Sequence, residues 1–84
     1  MDIADWRNRI DELEDMIIDL LNKRAAYGEE IGKIKRAKGL PVLDPVREME
    51  ILNRVAAKTN GPLRSEAIRH IFSVIMDETK KLEK

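Results

Sequence analysis

The sequence contains no cysteine and a single histidine, His70. The first absence excludes disulfides and thiolate metal sites, and one imidazole cannot build a histidine metal cluster. Charge of one sign is missing too: sixteen Lys and Arg balance sixteen Asp and Glu. That removes the electrostatic footprint of general nucleic-acid or anionic-membrane binding, so neither partner is expected. No apolar run approaches the ~20 residues of a membrane span. The opening Met-Asp-Ile-Ala-Asp-Trp has neither the basic region nor the apolar stretch of a signal peptide, and a cytoplasmic setting is the expectation. Glycine-rich phosphate loops, low-complexity tracts and Ser, Cys or His constellations for covalent catalysis are also lacking. No metal and no cofactor are expected. A chain this short buries only about 60% of its unfolded surface, so residues 1–84 are read as one domain. Its lone core supplies only a few kcal/mol, which makes oligomerisation a natural remedy.

What is present is periodicity. From Ile3 the apolar residues fall on a heptad, with Ile3, Ile10, Ile17 and Ile31 at one position and Trp6, Leu13, Leu20, Tyr27 and Ile34 at the other. This spacing predicts one long helix over 3–38, stopped by Gly39 and Pro41. Gly28 and Gly32 lie one turn apart inside it. Each costs about 1 kcal/mol against alanine, and close approach by a ligand or another helix is the expected compensation. Asp44-Pro45, an acidic cap before proline, opens a second helix over about 45–59 with the apolar stripe Met49, Leu52, Val55 and Ala56. Thr59-Asn60-Gly61-Pro62 is a turn, and Ser65 is read as the cap of a third helix over 65–83. The apolar face of that helix is Ile68, Ile71, Phe72, Ile75 and Met76, continued by Thr79 and Leu82. No segment reads as a strand, so the fold class is all-α: one very long helix and two shorter ones.

The first helix is too long for a compact monomer. About 34 residues make a rod of roughly 50 Å, whereas a globule of this size has a radius of gyration near ~12 Å. The end of the rod would leave Ile3, Trp6 and Ile10 uncovered, and a second chain is the simplest cover. The expectation is an intertwined, two-fold helical homodimer with the long helices packed together.

The heptad breaks at Arg24, where an apolar residue is due. A cation on a core-facing stripe is costly unless paired, and the guanidinium fork suits a planar carboxylate. The bland alternative is a structural ion pair with a glutamate such as Glu48. Lys35 follows eleven residues later, almost three whole turns, so both cations point nearly the same way. Their backbones stand roughly 16 Å apart, a gap that two long side chains can narrow to bracket a small dianion. Arg7 lies about 25 Å from Arg24 on the same stiff helix and reaches such a ligand only across subunits. Asp44 serves as a cap, and the first turn it starts holds Arg47 and Glu48 in fixed directions. Thr79 lies on the apolar face of the third helix with Glu83 toward its edge; a frayed surface glutamate is the plainer reading of Glu83. His70, Trp6 and the Lys80-Lys81 pair are read as an ordinary helix residue, a dimer-packing aromatic and a solvated terminus.

Taken in order, Arg7, Leu21-Asn22-Lys23-Arg24, Ile31-Gly32-Lys33-Ile34-Lys35, Asp44-Pro45-Val46-Arg47-Glu48 and the helix carrying Thr79 and Glu83 resemble the all-helical (AroQ-class) chorismate mutase family over nearly the whole chain. The resemblance implies a dimer with two equivalent sites that rearrange chorismate to prephenate, in phenylalanine and tyrosine biosynthesis, without a covalent intermediate. It further implies that Arg24 and Arg7 of the partner subunit bind the two substrate carboxylates, with Arg47 and Thr79 nearby. Lys35 would contact a carboxylate and the ether oxygen, Glu48 the ring hydroxyl, Asp44 the same side through its backbone, and Glu83 the ether oxygen. Many bacterial relatives carry glutamine at the Glu83 position. Glutamate donates a hydrogen bond only when protonated, so turnover is expected to fall with rising pH and Glu83→Gln to flatten the profile. An isochorismate pyruvate lyase of the same fold, and a silent helical dimerisation or regulatory module, stay open as alternatives.

Overall fold

A computed structural model describes residues 1–83, as three helices: α1 (Ile3–Lys38), α2 (Pro45–Lys58) and α3 (Ser65–Glu83). No strand occurs among the described residues. Each helix end has a local cause. Asp2 and Asp5 form a reciprocal capping box, Asp5 N–H donating to Asp2 at 2.9 Å and Asp2 N–H to Asp5 at 3.1 Å. At the other end Gly39 adopts φ 68°, a left-handed conformation that glycine enters without steric cost, and the Leu40 N–H closes the turn on Lys35 O at 2.8 Å. Asp44 caps α2 by accepting from the Arg47 N–H at 3.1 Å, with Pro45 in the first turn. Ser65 does something other than capping α3: its hydroxyl donates to Ala56 O at 3.0 Å and ties the start of α3 to the end of α2.

The interior lies between α2 and α3, where Ile51, Val55 and Met76 are buried and Leu52, Ile68 and Phe72 pack around them. This corrects two stripes read from the sequence. Met49 is 56% exposed and Ile51 takes its place inside; Ile71 and Leu82 also face outward, while Glu83 is buried. The reason is rotation: α3 must present the Thr79 and Glu83 edge to α1 as well as the Ile68, Phe72 and Met76 edge to α2. It packs on both helices, and α1 and α2 share no packing contact among the described residues.

α1 touches α3 through an unusual face. Its buried residues are Gly28 and Gly32, not the heptad seam. A Cβ added at Gly28 would stand 2.5 Å from Thr79 Cγ2, and one at Gly32 would stand 3.0 Å from the Glu83 Cα. Close approach by another helix is thus what compensates the two glycines. Every large apolar side chain of α1 remains more than a third exposed, from Leu21 at 38% to Tyr27 at 70%. The molecule measures 55 × 23 × 15 Å with a radius of gyration of 15.8 Å, well above the ~12 Å of a compact chain of this length. No described helix is long and apolar enough to cross a membrane.

Candidate active site

Where the second half of α1, the start of α2 and the end of α3 converge, they enclose a cavity of about 400 Å³. Buried Ile51 and Met76 supply an apolar floor. Arg24 and Lys35 reach in from α1, Asp44, Arg47 and Glu48 from the first turn of α2, and Thr79, Lys80 and Glu83 from the last turns of α3. The glycine contact governs how close the α1 and α3 walls stand. The Asp44-Pro45 start fixes the direction in which the α2 wall faces.

Arg24 donates through Nη1 to the Thr79 hydroxyl at 3.2 Å, and that hydroxyl donates in turn to Ile75 O at 2.8 Å. Among the described residues no carboxylate comes within salt-bridge distance of Arg24. Burial, and then the cations Arg47 and Arg54, hold its guanidinium below the ordinary arginine value, with Glu83 pulling the other way. An arginine stays protonated regardless, so the shift registers first the loss of water around the guanidinium and only then its cationic neighbours. The bland alternative is answered by the same geometry: Glu48 is taken by Lys80, Nζ to Oε1 2.7 Å.

Lys35 is held from two sides. Its ammonium donates to Val42 O in the α1–α2 connection at 3.0 Å and stands 3.6 Å from Glu83 Oε2. The second distance is an ion pair too long to be a hydrogen bond. With side chains only 19% and 10% exposed, Lys35 and Glu83 form a part-buried couple that an oxygen of a ligand could join. Arg47, by contrast, lies at the rim, its side chain 59% exposed and 3.8 Å from Glu50.

The structure therefore brings together Arg24, Lys35, Asp44, Arg47, Glu48, Thr79 and Glu83 of the residues singled out from sequence, and leaves Arg7 apart on the exposed half of α1. Two readings change. Glu83 is not a frayed surface residue, being 8% exposed. Lys80 is not part of a solvated terminus: it lines the cavity, and its bond to Glu48, with Asp77 next, holds its ammonium above the ordinary lysine value. Its signal was available, because Met76, Thr79, Lys80 and Glu83 follow the i, i+3, i+4, i+7 spacing of one helix face. Among the described residues no three His, Cys, Asp or Glu side chains are grouped to hold a metal.

Arg24, Lys35, Arg47 and Lys80, beside the carboxylates of Asp44, Glu48 and Glu83 and over an apolar floor, give an all-helical site whose cations have the chemistry to clamp carboxylates. The model of the family described as chorismate mutase type II matches residues 6–84, and the chain belongs to that family. A bifunctional chorismate mutase/prephenate dehydratase from Aquifex aeolicus is 33% identical over 87 residues, covering 99% of this chain. The chain spans only 24% of that relative's length. Among solved structures, chorismate mutase (form II) from Thermus thermophilus is 36% identical with a TM-score of 0.94, covering 96% of this chain and 92% of that one. The chorismate mutase from Helicobacter pylori in complex with prephenate is 28% identical with a TM-score of 0.88, covering 96% of this chain and 88% of that one.

Proposed function

We propose that this chain, as one domain over residues 1–84, rearranges chorismate to prephenate on the route to phenylalanine and tyrosine in the cytoplasm, as a homodimer. The observation that carries the reading is Arg24: a part-buried guanidinium, oriented by Thr79 and without a carboxylate within salt-bridge distance among the described residues. Chorismate is a dianion, and one of its carboxylates supplies that partner. The second carboxylate is met by Arg7 of the partner subunit, with Arg47 at the rim.

The reaction is pericyclic: the ether C–O bond breaks as a C–C bond forms, and no atom is gained or lost. The residues have two tasks. The carboxylate clamps hold the substrate in its compact conformer, converting a rare geometry into the bound one. Lys35, the ion-pair partner of Glu83, donates to the charge that grows on the ether oxygen, and Glu83 becomes a second donor there only on taking up a proton; one such donor is typically worth a hundredfold or more in rate. Glu48, steadied by Lys80, accepts from the ring hydroxyl, and Asp44 lines the same side through its backbone. The apolar floor keeps water away and strengthens every one of these interactions.

The uncovered heptad seam of α1 supports the dimer, since a row of apolar residues from Ile3 to Ile34 does not stay in water when a second copy can bury it. The decisive experiment follows the loss of chorismate's ultraviolet absorbance on incubation with the protein, with Arg24→Ala as control. Turnover by the unmodified chain and its collapse in the variant are expected; equal rates in both sink the reading. Sedimentation that finds a folded monomer at micromolar concentration removes the dimer.

A further inference from the structure

We infer that Arg36, outside the cavity, is a positioning residue for the site: it holds Glu83 in place by its backbone so that the carboxyl stays beside Lys35. The inference rests on the proposed reading of the cavity and extends it to a residue on its outer side.

One turn of α1 grips Glu83 at three points. Gly32 receives its Cα, in a gap so narrow that an added Cβ would stand 3.0 Å from that atom and 3.2 Å from the Glu83 Cβ. Lys35 faces its carboxylate at 3.6 Å. Arg36 donates from Nη1 to the Glu83 carbonyl oxygen at 2.8 Å. Gly32, Lys35 and Arg36 are related by i, i+3 and i+4, so they line one side of the helix and act on one residue of α3. The Gly32 contact alone would permit the end of α3 to slide or turn about its axis. The carboxylate contact alone is too long to be a hydrogen bond. A charged donor on the carbonyl supplies what both lack, a short directional bond.

The site needs this restraint because Glu83 acts only from a fixed position, and the Gly32 contact alone does not fix the direction of its side chain. Arg36 does not line the cavity and its guanidinium is engaged by the Glu83 carbonyl, so its influence on the reaction passes through Glu83. That pathway has a specific signature. Losing a transition-state contact lowers kcat while leaving substrate binding largely intact, and a misplacement of ~1 Å can cost on the order of a hundredfold.

The test is a double-mutant cycle with Arg36→Ala, Arg36→Lys, Glu83→Ala and Arg36→Ala/Glu83→Ala, each assayed with chorismate. Arg36→Ala is expected to lower kcat by about tenfold to a hundredfold with KM changed less than threefold, a range set by the displacement cost above. Arg36→Lys, which keeps one charged donor, restores part of the loss. In the Glu83→Ala background Arg36→Ala costs nothing further, the mark of an effect that travels through one partner. Faster hydrogen exchange in the last turn of α3 accompanies Arg36→Ala. Unaltered kcat in Arg36→Ala, or an equal loss with and without Glu83, overturns the inference while leaving the proposed function intact. An unmodified chain that does not consume chorismate overturns both.

Discussion

The two halves of α1 are one continuous helix with one heptad, yet they live in different environments. From Ile3 to Lys23 every residue is exposed, whereas from Arg24 to Lys35 the helix buries two glycines and presents two cations to a cavity. The apolar half has no partner within the chain, and the half that has a partner is the one where the apolar pattern is broken. The strong hydrophobic repeat stays uncovered by the chain itself, and the interruptions mark the surface the chain does use. Small residues admit α3, and charged ones face what lies between the helices.

The comparison is broken most severely by mixing subunits. Arg7→Ala and Arg24→Ala are each expected to lose at least about a hundredfold in turnover, the cost of one charge-stabilising contact. Combining the two inactive proteins under exchange conditions restores part of the activity, because one site in each mixed dimer regains both arginines. If rates in the mixture stay at the level of the separate variants, the two halves of α1 do not serve one site across subunits.

Gly32→Ala sharpens the role of the second half. The new Cβ meets the backbone of Glu83 at 3.0 Å, which cannot rotate away. Overpacking costs about 1–3 kcal/mol, against a gain of about 1 kcal/mol from helix propensity, so thermal stability falls modestly. Turnover falls much further, about a hundredfold, because Glu83 is displaced. Parallel melting and rate measurements separate the two effects.

Glu83→Gln is smaller in size and reads pH. Glutamine donates at any ordinary pH whereas glutamate donates only when protonated, so the rate of Glu83→Gln is expected to depend on pH less than that of the unmodified protein. Rate profiles that fall in parallel contradict a donor role for Glu83.

Lys80→Met gives the smallest effect. The folded-state value of Lys80 is raised by Glu48 and then Asp77. The pair's contribution is therefore complete below the ordinary lysine value and is lost as pH rises through the raised one. Melting temperatures of unmodified and variant protein should differ slightly at neutral pH and converge in strong alkali; being partly solvated, the pair adds little either way.

Much of this was legible in sequence because helices write their boundaries locally. Asp44-Pro45 and Gly39 act on the backbone within a turn of themselves, and the structure shows both doing so. Arg24 and Lys35 were legible because helical geometry is rigid enough to carry direction across eleven residues. Ile51 was missed and Met49 overvalued because the rotation of α2 is decided by where α3 lies, which no local pattern records. The burial of Glu83 has the same origin: it depends on Gly32, a residue 51 positions away in the chain. Lys80 was lost to its neighbour Lys81, since a pair of lysines near a helix end reads as solvated even when one of them points inward.

Apart from the connecting loop, to which Lys35 is bonded through Val42 O, α3 is what joins α1 to α2, which are not closely packed on each other among the described residues. The walls of the cavity are therefore not independent supports, and a molecule that contacts both would act as a second fastening between them. Occupancy and folding then become linked equilibria: a ligand at a hundred times its dissociation constant should add about 2.7 kcal/mol to the unfolding free energy. For so slender a chain, filling the site would also be what makes the fold secure.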